Sequence, residues 1–195
     1  MALTKTSAID VIDAWQSVAY GVQLTGITKN VADSYESMLQ IEASPITAQA
    51  SELEITVEVS YDDANWVALP TFSHVNTGSN YQTTLDGSVS AAGTALVLTA
   101  STYHSDVGQK LLVFDGVTAA NSETVIVATD AGSNTVTLCD PLLRDHATAT
   151  VVSSVVDQWN YVVPTSASKV RVRYNNVDAN CNMAVTSRIL KVTGL

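Results

Sequence analysis

Glu52-Leu53-Glu54-Ile55-Thr56-Val57-Glu58-Val59-Ser60-Tyr61 is the stretch that decides the fold. Leu53, Ile55, Val57, Val59 and Tyr61 share one face at period two, and Glu52, Glu54, Thr56, Glu58 and Ser60 share the other. Alternation sustained over this length predicts a half-buried strand, with one face in a core and one in water. Asp62-Asp63-Ala64-Asn65 follows, rich in side chains that hydrogen-bond their own backbone, and predicts a turn. Trp66-Val67-Ala68-Leu69 then returns, so residues 52–69 read as a β-hairpin.

Outward from the hairpin, Ser34–Glu42 reads as a strand with Tyr35, Leu39 and Ile41 as apolar members, ended by Pro45. Residues 73–81 read as a loop. Near the C-terminus the hairpin texture recurs: Val170, Val172 and Tyr174 alternate with Lys169, Arg171 and Arg173, an Asn-rich turn spans 175–180, and Met183–Lys191 forms a further strand. Between Leu85 and Val155 short apolar runs alternate with Gly, Asn and Asp. Ala95–Ala100, Gln109–Phe114, Thr124–Ala128, Thr135–Cys139 and Thr148–Val155 are the candidate strands of a compact all-β unit. The first thirty residues show no clean period. Ile9–Trp15 allows a short helix or an extended arm, and the absence of a cap favours the arm.

These readings predict an all-β protein: an antiparallel β-sandwich, jelly-roll or Ig-like, with a second small β unit inserted into it. The expected organisation is an N-terminal arm over 1–30, a sandwich built from 31–84 plus 156–195, and an inserted domain over 85–155. Charge follows these boundaries. Residues 1–84 hold ten acidic and two basic groups, 85–155 seven and two, and 156–195 two and five. A strand presenting Glu52, Glu54 and Glu58 complements one presenting Lys169, Arg171 and Arg173, so the two are expected as neighbours in one sheet. Opposite-charge cross-strand pairs contribute about 0.2–1 kcal/mol each.

Composition narrows the function. The 195 residues carry 19 acidic and 9 basic side chains, a net charge of -10, yet only 14% are charged. The 27 valines, 23 threonines and 20 serines fill that gap. Valine and threonine suit strands, which disfavours helical bundles, coiled coils and disordered tails. Overall acidity argues against nucleic acid and anionic membranes as partners. The start of the chain lacks a basic segment and an unbroken apolar run, and no run approaches a membrane span, so a soluble protein made in a cytoplasm is expected. Cys139 and Cys181 lack metal or framework spacing and read as free thiols.

No catalytic signature emerges: there is no GxSxG elbow, phosphate loop, GxGxxG or HExxH. His74, His104 and His146 stand apart, and a turn histidine beside an aspartate, such as His104 near Asp106 or His146 near Asp145 and Asp140, reads as a solvated loop residue. Asp62, Asp63, Asp115 and Asp140 read as turn formers; Asp62-Asp63-Asn65 is the weaker alternative of a calcium site, because hard cations take clustered oxygens. Trp66, Trp159 and Tyr61 read as core before sugar platform. The expectation is a non-enzyme with no cofactor and no metal.

The run Val57–Leu69, with its Ser-x-Asp turn and re-entry through Trp66, resembles a hairpin of small virion proteins of tailed bacteriophages. Val170–Asn176 is similar to the matching late strand, and Gly108–Phe114, Ser122–Val127, Thr135–Leu138 and Pro141–His146 share the same texture. The resemblance spans about two thirds of the chain and assigns no functional residue. It implies a virion structural protein, foremost a capsid decoration (cement) protein that stabilises the head shell, with a neck, tail or baseplate accessory protein as the alternative. It also implies the major capsid protein or other virion proteins as partners, a homo-oligomer with a trimer among the options, and residence in the virion. Trp15 and Tyr20 on the arm are then candidate interface anchors, since aromatics dominate many interfaces; the competing reading makes the arm a strand of its own sandwich. A carbohydrate- or receptor-binding adhesin module and a hydrolase with paired carboxylates are the readings from other classes.

Overall fold

The computed structural model describes residues 6–47, 51–76, 82–100, 106–116, 118–130, 134–154, 156–177 and 181–193. His104, the tip of the 73–81 segment and residues 178–180 of the late turn lie outside them. The strands are β1 Thr6–Val18, β2 Gln23–Thr25, β3 Lys29–Asn30, β4 Glu36–Pro45, β5 Ser51–Ser60, β6 Val67–Asn76, β7 Gln82–Thr84, β8 Ala95–Val97, β9 Lys110–Phe114, β10 Glu123–Asp130, β11 Thr135–Leu138, β12 Val151–Ser153, β13 Asp157–Val163, β14 Lys169–Asn176 and β15 Met183–Thr193. A 3-10 turn spans Ala119–Asn121. The protein is all-β, and the described strand pairings are antiparallel.

Two sheets form the sandwich, in the orders β1-β15-β4-β13 and β2-β14-β5-β6, with β3 also on β14. Leu53, Ile55, Val57 and Val59 of β5 and Val170, Val172 and Tyr174 of β14 are fully buried, facing Leu39, Ile41 and Ala43 of β4 and Met183, Val185 and Ile189 of β15. Burying each large side chain of this kind stabilises by roughly 1.5–3 kcal/mol, so this core carries the sandwich. Tyr61 departs from the alternation: it is 47% exposed, because β5 ends at Ser60 and the turn rotates it outward. Tyr35 is likewise exposed, one residue ahead of β4.

The segment expected as a loop from residue 73 is strand as far as Asn76. β6 is the sheet edge, and an edge tolerates a proline such as Pro70 that a central strand would not. Its inward Phe72 meets Trp159 and Tyr161 of β13, ring centroids 6.4 and 6.1 Å apart, closing one side of the sandwich.

The N-terminal segment is built into the chain's own sandwich. β1 pairs with β15 along Thr6–Val18, and β2 pairs with β14. Register shifts between Val11 and Asp13 and again between Asp13 and Gln16 explain the missing period. Val11 is exposed, Asp13 is buried against Tyr174 and Ser187, and Trp15 is buried against the inserted unit. Two bulges thus reset which side of β1 faces inward.

A six-stranded sheet in the order β7-β12-β9-β10-β11-β8 forms the second unit. It curls until its ends meet at the Leu85–Leu98 bridge and encloses Leu96, Leu111, Val113, Val127, Val136 and Val152. All five strands expected here are present, and β7 is an addition, extending the unit to Gln82. In β9 Leu111 and Val113 face this interior, while Leu112 and Phe114 face Trp15 and Ala184 of the sandwich. A strand buried on both faces reads as an unbroken apolar run, which is what Leu111-Leu112-Val113-Phe114 is.

Candidate functional site

The charge-bearing strands lie side by side. β5 and β14 are antiparallel neighbours with Glu58 opposite Arg171, Thr56 opposite Arg173 and Glu54 opposite Asn175. Glu58 is buried, and it accepts from Arg171 Nε at 2.7 Å and Arg173 Nη1 at 3.1 Å. Two charge-assisted bonds offset the desolvation of its carboxylate. The Arg171 guanidinium also stacks 4.0 Å from the Trp66 ring centre, a cation–π contact. Lys169 lies 3.4 Å from Asp63 instead of from a glutamate. Glu54 accepts from Asn175 at 2.8 Å. Glu52 lies opposite Val75, off the ladder.

The turn that follows is held by its own acids. Asp62 accepts from the backbone N–H of Asn65 and Ala64 and from the Asn65 side chain, at 2.7, 3.0 and 2.6 Å. These bonds, the Asn65 backbone first, hold its carboxyl well below the ordinary aspartate value. Asp63, in the left-handed region at φ +64°, is lowered by the Ser168 hydroxyl and then by Lys169. The candidate calcium oxygens are therefore engaged with protein donors. Among the described residues no group of three or more His, Cys, Asp and Glu side chains has metal-holding geometry.

Of the two candidate anchors, Trp15 is buried with Leu112, Phe114 and Ala184 and joins the two units of the chain, whereas Tyr20 is 55% exposed. Cys139 is exposed and Cys181 buried, both as free thiols.

His74 and His146 are not solvated loop residues; both are buried, each on a carboxylate distant in sequence. His146 Nε2 lies 2.8 Å from Glu123, which also accepts from the backbone N–H groups of Leu143 and Arg144. Its sequence neighbour Asp145 instead accepts from the Ala91 N–H. His74 Nδ1 pairs with Asp157, and its Nε2 lies 2.7 Å from Ser51 Oγ. That connectivity is the order of a Ser–His–Asp triad. Ser51 is 1% exposed, so no substrate carbonyl can approach its hydroxyl in this conformation. The chain Ser51–His74–Asp157 instead ties β5, β6 and β13 together at the closed side of the sandwich.

A third buried carboxylate, Asp13, accepts from Ile27 N at 2.9 Å, Ser187 Oγ at 2.8 Å and Tyr174 Oη at 3.2 Å. A Cβ on Gly26 would collide with it, which requires glycine there. Burial first, and the Asp13 charge second, push the Tyr174 hydroxyl well above its usual pKa and keep it a donor.

Two surface features remain. Between the units a cleft of about 320 Å³ opens, lined by Trp15, Glu42, Glu123, Leu143, Arg144 and Arg188 among others. Glu42 at its base is buried and accepts from Lys110 of β9 at 2.6 Å, with Arg188 at 3.4 Å. Beyond the cleft the outer face of the first sheet is uncovered. Ile9, Leu190, Met38 and Val162 stand in register across all four strands. Ile9 is 68% and Val162 64% exposed.

No protein-family profile matches this chain, and no curated protein does. Among solved structures it is similar to a chain of Bacillus endospore appendages, described as a novel family of disulfide-linked pili, at 8% identity and TM-score 0.36 over 97% of this chain and 90% of that one. It is similar to the SPBc2 prophage-derived protein YomS at 6% identity and TM-score 0.33 over 98% of both chains. It is also similar to a chain of infectious bursal disease virus at 12% identity and TM-score 0.27, over 98% of this chain and 41% of that one. Likenesses this slight assign neither a family nor a function. The buried acids and histidines carried no signal in the sequence except parity: His74 falls on the same strand face as Phe72, and Trp159, Tyr161 and Val163 alternate along a strand the sequence reading did not assign.

Proposed function

We propose that this chain is a structural protein of a tailed-phage virion, a decoration protein that reinforces the head shell through protein–protein contacts and performs no catalysis. The observation that carries the reading is the uncovered apolar row Ile9–Leu190–Met38–Val162 on the outer face of the first sheet. Contiguous exposed apolar surface marks interaction sites. A protein that binds only the assembled shell stabilises it by mass action, without any chemistry of its own.

Two observations weigh against the other classes. The Trp66 face is taken by Arg171, and Trp159 packs against Phe72, so neither offers a free sugar platform. Glu42, Glu58, Glu123 and Asp13 each accept hydrogen bonds within the chain, so none is an idle acid for glycoside chemistry. The test is co-sedimentation of purified protein with expanded heads, with tail tubes and with immobilised glycans in parallel. Saturable binding to heads alone is expected. Binding to tail tubes alone would replace the decoration role with a tail accessory role, and binding to glycans alone would replace both with an adhesin. A size-exclusion mass then separates monomer from trimer.

A further inference from the structure

The first half of β1 is a sheet edge with an open side. Thr6 to Val11 pair with Thr193 to Arg188 in six consecutive steps without a bulge, and β1 ends its sheet. Alternate residues of such a strand turn their N–H and C=O away from the neighbour. Among the described residues no backbone hydrogen bond from outside the ladder reaches Thr6–Val11. Further along β1, the carbonyls of Asp13 and Val18 accept from the Thr186 and Asn176 side chains. A free edge pairs with another chain unless proline, charge, a bulge or shortness blocks it. The other described sheet ends carry such blocks. β6 contains Pro70, and β2 and β3 are three and two residues long. β13 runs between Asp157, held by His74, and Pro164. The inserted sheet closes at Leu85–Leu98. Thr6–Val11 holds no Pro, Gly, Lys or Arg and one charge, Asp10, and the bulges of β1 begin only after Val11.

A strand that docks here must be extended and have a free edge of its own. The β1 of a second copy meets both conditions, and antiparallel pairing about a two-fold axis satisfies both edges at once. Closed two-fold pairing is the commonest association of identical chains. The apolar row fixes the register. Ile9 ends the row Val162–Met38–Leu190–Ile9 at this edge and is 68% exposed. With Ile9 opposite Ile9 of the second copy, Ser7 falls opposite Val11 and Asp10 opposite Ala8, and the two rows join end to end. Directly opposed side chains have Cβ atoms about 4.5–5.5 Å apart, so each Ile9 covers the other. Any other register steps the rows apart. The net charge of -10 opposes self-association, but of that charge only Asp10 lies in the paired segment.

We propose that two copies of this chain pair antiparallel through Thr6–Val11 of β1, with Ile9 at the two-fold axis, and join their two four-stranded sheets into one. The joined apolar row stays on the outer face of the shared sheet, open to a further partner. The pairing goes beyond the virion reading and does not rest on it. A dimer that ignores heads keeps this assignment and loses the other; a monomer that binds heads does the reverse.

The experiment is sedimentation equilibrium of the full chain over a range of concentrations, with far-UV circular dichroism to check that each variant is folded. A monomer–dimer equilibrium with no larger species is expected, tightened by salt because salt screens the repulsion between two acidic copies. I9K sets two lysines face to face across the axis and should raise the dissociation constant at least about tenfold. D10N, which removes the segment's charge, should lower it. V162K lies on the same row at the opposite edge and should leave it unchanged. Cys139 is the exposed thiol and Cys181 is buried, so cysteine trapping uses a C139S background: I9C should oxidise to a covalent dimer, and V162C should not. A monomer at every concentration, a trimer or an open-ended assembly would overturn the pairing. So would V162K weakening the dimer as much as I9K, which would mean that the rows pack face to face, or V162C cross-linking as readily as I9C.

Discussion

The two outer faces of the sandwich solve the same problem in opposite ways. On the β5–β14 sheet, outward positions are Glu54, Thr56, Glu58, Arg171, Arg173 and Asn175, and they pair with one another. On the β1–β15–β4–β13 sheet the outward positions are not self-sufficient. Near Ala184 and Glu42 they are covered by β9 and Trp15. Toward Ile9 and Val162 they are apolar and bare. A face that satisfies its own charges needs no partner, whereas a half-covered apolar face has buried one half and left the other available. The proposed function therefore assigns its contact surface to the first sheet and structural support to the second.

The largest disruption should come from the covered half. Trp15→Ala would leave a cavity between the units, costing about 3–5 kcal/mol. Urea unfolding followed by tryptophan fluorescence and by circular dichroism should then lose coincidence, as the inserted unit and the sandwich separate; a single unshifted transition would show that Trp15 does not join them. The self-paired face is next. Glu58→Ala leaves Arg171 and Arg173 without their shared carboxylate and should cost about 1–3 kcal/mol by chemical denaturation, an effect smaller than that of Trp15 because both guanidinium groups reach water.

A smaller effect is expected from pH at the hairpin turn. Asp62 and Asp63 are more acidic in the folded chain than the ordinary value of 3.8. A lowered folded value means that their contribution is present in full above that ordinary value and is lost as pH falls through the folded values. Hydrogen exchange at the Ala64 and Asn65 amides should therefore stay protected at pH 5 and accelerate, relative to its intrinsic rate, in stronger acid. Protection unchanged in Asp62→Ala would remove the carboxylate from that role. The smallest stability effect belongs to the bare half: Ile9→Glu with Val162→Glu should change stability by less than about 0.5 kcal/mol, as exposed substitutions do, in the same denaturation assay.

The sequence disclosed the two faces unequally. β5 and β14 were legible because each alternates without interruption, and their opposite charges implied adjacency. β9 was legible as an apolar run, although its role as the strand shared by two cores was not, since a run carries no record of what lies on each side. β1 was illegible for a physical reason: two bulges shift Asp13 inward and return Trp15 outward, so no window of residues 9–15 shows a period. β6 is legible only as far as Leu69, because Pro70 and the polar Thr71 and Ser73 imitate a loop, which an edge strand permits. The buried Asp13, Glu42 and Glu123 could not be recognised in the sequence, because a carboxylate becomes a core residue only through donors supplied by distant strands. Tyr61 shows the converse error, a pattern carried one residue past the end of its strand.

The central claim, that the bare half of the first sheet is the contact face, is tested most directly by sedimenting three proteins with expanded heads: the natural chain, the Ile9→Glu/Val162→Glu variant and an Arg173→Gln variant of the self-paired face. The account predicts that the natural chain and the Arg173 variant pellet with heads while the Ile9/Val162 variant, folded and monodisperse, stays in solution. Retention of head binding by the Ile9/Val162 variant together with its loss in the Arg173 variant would contradict it.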